Sequence, residues 1–150
     1  MIGDDLPDDD HIVRYVKATS IREDGTVDGS EFRLRPSRPD DTGVSVQWLD
    51  YHRDLPKADQ LAQIRSVSRL TLKKKARFAE LNVGQVKRHV SEELEAMRIE
   101  HWPLEANGEY PADPSHAEVT GLPPGDSDLA ALVGDLIAQF VIGLHPAIQE

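Results

Sequence analysis

The chain has 150 residues, 39% of them hydrophobic and 29% charged, with a formal net charge of −10 and no cysteine. That length and balance suit one folded domain around one core, and the lack of thiols excludes disulfides, thiolate nucleophiles, zinc ribbons and iron–sulfur clusters. The charge is segmented: nine carboxylates and three histidines follow Arg98 without a lysine or arginine, whereas residues 65–88 hold eight bases against the single acid Glu80.

Residues 1–10 contain five aspartates and read as an acidic, flexible lead-in to a single domain over 11–150. A signal peptide needs positive charge and then an apolar stretch, so a cytoplasmic protein is expected. Eleven arginines against six lysines, with two asparagines, fit a GC-rich bacterial source. HIVRYV (11–16) alternates as a strand, with Ile12, Arg14 and Val16 on one face. Two Gly-containing turn signals over 23–30 precede EFRLR (31–35), which alternates again with Phe32 and Leu34 inward and completes a predicted hairpin. VSVQWL (44–49) is a third strand.

Pro56 opens a helix with an apolar stripe at Leu61, Ile64, Val67 and Leu70. RFAELNV (77–83) returns to strand alternation, Ser91 is placed to cap a short helix over 91–97, and RIEHW (98–102) reads as a strand. Five of the ten prolines fall between Pro103 and Gly125, which predicts ordered loop with one strand-like patch, SHAEV (115–119). Ser127 starts a final amphipathic helix running from Leu129 to Leu144 and stopped by Pro146. Its small residues Ala130, Gly134 and Ala138 form a strip for close packing. At 16 residues, the apolar stretch 129–144 is shorter than the roughly 20 that a membrane span needs, so no membrane partner is expected.

Strands first, with helices interspersed and few crossovers, predict an α+β domain. Its mostly antiparallel sheet of about five or six short strands packs on two or three helices, with the C-terminal helix in the core. No strand leads through a Gly-rich turn into a helix, so a doubly wound nucleotide-binding fold is disfavoured. There is no nucleophile elbow, P-loop, metalloprotease or kinase motif.

The unusual local sequence is YPADPSHAEV. In an extended SHAEV, His116 and Glu118 share a face, and Asp113 before Pro114 fixes the entry turn. A His beside a carboxylate serves as an acid/base pair or as two metal ligands. His101 would complete a divalent-metal set with His116 and Glu118, although no motif demands a cofactor. His11, with Asp10, is a fainter binding candidate. Arg14 sits on the inward face of the first strand, where a guanidinium is costly unless it meets a carboxylate or a phosphate. The expected cluster is therefore Arg14, His116 and Glu118.

Two functions follow. The first is a non-enzymatic accessory subunit of a bacterial protein complex, presenting its acidic last third to a basic surface. The second is a small hydrolase or transferase acting on a phosphorylated or nucleotide-like substrate, with Arg14 on the anion and His116 as base. Nucleic acid is not the expected partner, because the whole chain is acidic and its basic residues lack interleaved aromatics. A homo-oligomer built on the C-terminal helix is a further expectation.

Overall fold

The computed structural model describes residues 2–38 and 40–148. Strands β1 (His11–Val16), β2 (Gly43–Trp48), β3 (Arg77–Asn82), β4 (Arg98–His101), β5 (His116–Thr120) and β6 (Gly143–Pro146) alternate with helices α1 (Lys57–Val67), α2 (Val83–Val90) and α3 (Asp128–Gln139). All six strands lie in one sheet, in the order β4-β5-β2-β1-β3-β6, and every neighbouring pair is antiparallel. The α+β architecture is thus the one that the order of elements predicts.

Strand alternation divides the core in two. Ile12, Val16, Val44, Val46, Leu81 and Val119 face α2 and α3, meeting Val86, Val90, Val133 and Ile137. Val13 and Phe78 face the other way, onto Leu61 and Ile64 of α1. Because α1 covers only this half of the sheet, the corresponding faces of β2 and β5 carry polar residues, Ser45, Gln47, His116 and Glu118.

Four segments depart from the sequence reading. EFRLR is not a hairpin strand: a 3-10 turn occupies Gly29–Phe32, with the Asp28 side chain accepting from the Ser30 amide. Gly29 and Gly134 pack there backbone to backbone, and a Cβ on Gly134 would lie 2.5 Å from the Gly29 carbonyl oxygen. The small-residue strip of α3 therefore receives this turn. The helix expected at 91–97 lies earlier, as α2, because Asn82 both ends β3 and caps the helix by accepting from the Gln85 amide; Ser91 is its C-cap. The last helix stops at Gln139. Beyond it the chain turns back through Gly143 to add β6 to the edge of β3, where Pro146 costs no ladder bond at a strand end.

The lead-in, expected to be flexible, is instead held in the fold: residues 3–6 run along β4, and Asp8 and Asp10 meet the junction of β3 and α2. The Gly3 and Leu6 amides donate to the carbonyls of His101 and Ile99, and Leu6 is 2% exposed. Its aspartates find the cations of other segments: Asp5 pairs with Arg98, Asp8 with Lys87 and Asp10 with Arg53. This covers an edge that would otherwise present unpaired backbone groups.

Candidate functional site

β1 and β2 pair only at Ile12–Trp48 and Val13–Gln47, although both strands continue beyond those positions. Past them the strands part, and the gap holds a groove of about 760 Å³ bordered by Val13–Tyr15 and Gly43–Gln47. Arg14 occupies the split. Its Nε donates to the Glu31 carbonyl at 3.0 Å and its Nη1 to the Ser45 carbonyl at 2.8 Å. The guanidinium thus takes over a β2 carbonyl that the missing ladder leaves free.

Arg14 has no ion-pair partner among the described residues. Burial pushes its pKa down from the ordinary value; Glu31 opposes that, and the neighbouring Arg35 adds to it. A half-buried guanidinium held by neutral carbonyls keeps its charge and remains able to take an anion. The expected carboxylate partner is therefore replaced by two backbone carbonyls.

The groove wall concentrates positive charge in an acidic protein. Arg14, Lys17, Arg33, Arg35, Arg38 and Arg69 line it, against the acids Glu31, Asp41 and Asp113. None of these six cations forms an ion pair among the described residues. The RLRPSR run supplies three of them. Read as the outer face of a hairpin, that run conceals its role; folded as turn and loop, it becomes one wall of the groove.

The other end of the groove is polar. Asp113 and Ser115 are 2% and 0% exposed, and His116 is 8% exposed. Gln47 Nε2 donates to Asp113 Oδ2 at 2.7 Å, and Ser115 Oγ donates to Gln47 Oε1 at 2.6 Å. Reciprocal backbone bonds between Leu104 and Asp113 fix the entry to this loop, so Asp113 is a buried network member rather than a turn cap alone. His116 Nδ1 lies 2.8 Å from the Trp102 carbonyl oxygen, which can only accept. Nδ1 therefore carries the proton, and in the neutral ring Nε2 is left as an acceptor. His52 is half-buried. Burial holds its pKa below the ordinary imidazole value, against the opposing charge of Asp113.

The expected cluster is only partly assembled. Arg14 and His116 line the same groove with Asp113, but Glu118 does not. Glu118 lies over Gly43, where a Cβ would be 2.6 Å from Oε1, and faces Glu100 across the β4–β5 ladder. It is the Trp102 carbonyl, not Glu118, that orients His116. His101 donates through Nε2 to the Pro114 carbonyl at 2.6 Å, and its ring stands edge-on to Trp48 with centroids 5.0 Å apart. His11 is held by Asp50, 3.1 Å from Nδ1. Neither His101 nor His11 lines the groove. Among the described residues no three His, Asp or Glu side chains are grouped to hold a metal ion, the set His101, His116 and Glu118 included. Among the described residues no helix is long and apolar enough to cross a membrane.

No protein-family model, curated protein or solved structure matches this chain. The groove's own chemistry carries the functional reading.

Proposed function

We propose that this protein binds a small phosphorylated, nucleotide-like ligand in the groove between β1 and β2, with Arg14 as the anion anchor. The observation that carries this reading is a half-buried guanidinium held by carbonyls, set in a wall of cations that, like it, form no ion pair among the described residues. Arg presents a planar fork suited to phosphate, and a concave wall with an excess of one sign focuses its field even on an acidic molecule.

Calorimetric titration with pyrophosphate tests it. The unmodified protein is expected to bind, and Arg35→Ala with Arg38→Ala, in an exposed loop, to weaken binding tenfold or more. Arg14→Met is expected to remove about 1.5–3 kcal/mol, the scale of a charge-assisted hydrogen bond. No binding by the unmodified chain, or equal binding by the arginine variants, would contradict the reading.

A second reading, an accessory subunit that docks a basic partner, is supported by α3. Asp126, Asp128 and Asp135 are exposed there beside Leu129 and Leu132, which are 39% and 45% exposed. Salt-sensitive capture of one defined basic partner, lost when these three aspartates become asparagine, is its expected result. Capture that survives the substitutions speaks against it.

A further inference from the structure

We infer that the polar end of the groove selects a hydroxyl-bearing phosphorylated ligand, such as a sugar phosphate, with Asp113 and His116 accepting hydrogen bonds from its hydroxyls. This rests on the phosphate-binding reading and specifies the ligand class.

Both groups at that end are acceptors. Asp113 Oδ2 receives Gln47 Nε2 at 2.7 Å, whereas the single Ser115 hydroxyl proton goes to Gln47 Oε1 at 2.6 Å; a carboxylate has about four acceptor positions, so most remain. His116 spends its Nδ1 proton on the Trp102 carbonyl. Its Nε2 has no partner among the described residues, although the residue is 8% exposed. Gln47 spends its amide oxygen on Ser115 and one of its two Nε2 hydrogens on Asp113.

Two acceptors lining one groove repel phosphate and favour donors, and hydroxyls are the donors that a phosphorylated small molecule most commonly carries. The spacing agrees. Arg14 is anchored at the Ser45 carbonyl and Asp113 at the Gln47 side chain, two residues apart on β2 and so separated by roughly 7 Å along the strand. That is the reach from a phosphate to the hydroxyls of a phosphorylated pentose.

The test compares ribose 5-phosphate with n-pentyl phosphate, which has the same charge and a similar length but no hydroxyls, using pyrophosphate as the anion control. The full-length protein is expected to bind ribose 5-phosphate at least tenfold more tightly than pentyl phosphate. In Asp113→Asn or His116→Gln this ratio should fall towards one, with pyrophosphate titrated on the same variant as the anion control. Equal or tighter binding of pentyl phosphate, with arginine-dependent pyrophosphate binding intact, overturns the hydroxyl inference and leaves the anion site standing. A ratio unchanged in a folded variant overturns the assignment to these two residues. Absence of pyrophosphate binding overturns both readings. If neither substituted chain folds, the ratio measured on the unmodified protein still decides whether hydroxyls are recognised.

Discussion

Arg14 shows how a costly side chain can be tolerated without being neutralised. Its alternation with Ile12 and Val16 correctly marks an inward-facing cation, and the expectation of a carboxylate follows from pairwise electrostatics. The actual partners are main-chain carbonyls of Glu31 and Ser45, which no side-chain pattern announces because they depend on where β1 leaves β2. Glu80 presents the opposite case, a carboxylate 4% exposed that is fully partnered. Lys57 Nζ lies 2.9 and 3.1 Å from its two oxygens, and His145 Nε2 lies 2.7 Å from Oε1. Burial raises the Glu80 pKa, but the bonds from Lys57 and His145 outweigh it and hold the group below the ordinary carboxylate value. A depressed folded value means that the stability from Glu80 is complete above the unfolded value, about 4.3, and is lost as pH falls through the folded one. Glu80→Gln is therefore expected to cost about 1–2 kcal/mol at neutral pH, a modest figure because Lys57 is 53% exposed. Urea titrations from pH 7 to pH 3 should show the variant losing less stability on the acid side than the unmodified protein. Parallel curves would contradict the assignment.

Among the elements, those with undisturbed alternation were legible: β1, β2 and β3 follow their apolar residues, and Ser127 caps α3 by accepting from the Ala130 amide. The misplacements share a cause, which is that one residue or run serves two structures. Asn82 closes β3 and caps α2 without a loop between them. Apolar spacing continues past Gln139, so periodicity alone extends the helix into a segment that tertiary pairing with β3 claims as β6. Phe32 is buried as in an inward strand position, yet the close approach of Gly29 to α3 bends its segment into a turn. That contact gives a direct prediction. Gly134→Val places branched atoms against the Gly29 backbone and is expected to destabilise the fold by about 1–3 kcal/mol, read as a lower urea midpoint. Unchanged stability would mean that α3 does not pack on this turn. Truncation after Gly125 removes α3 and β6 together and should abolish cooperative unfolding.

For the whole molecule, net charge is a poor guide to local chemistry. The carboxylates after Arg98 do not form one surface: Asp113 is buried at the groove, Glu100 and Glu118 face each other on the sheet, and Asp126, Asp128 and Asp135 belong to the α3 region. No ion pair among the described residues joins them to the basic stretch 65–88, whose Arg65 and Arg69 reach the carbonyls of Pro146 and Glu105 instead. The aspartate-rich lead-in takes up Arg53, Lys87 and Arg98, and the cations without an ion pair among the described residues include the groove wall. The sequence groups Arg14 with His116 and Glu118 and sets Asp113 at the same turn; that Arg14, Asp113 and His116 line one groove with Glu118 outside it depends on β2 lying between β1 and β5, a long-range arrangement that local patterns do not encode. Screening should weaken anion binding at this wall, so pyrophosphate affinity is expected to fall several-fold between 50 and about 500 mM salt; a salt-independent affinity would argue for a non-electrostatic mode. The central claim is tested most directly by locating the bound anion through the arginine Nε–H resonances of the nitrogen-15-labelled protein titrated with pyrophosphate. Saturable shifts led by Arg14 and Arg35 are the predicted result, whereas shifts confined to other arginines, or none at all, would contradict it.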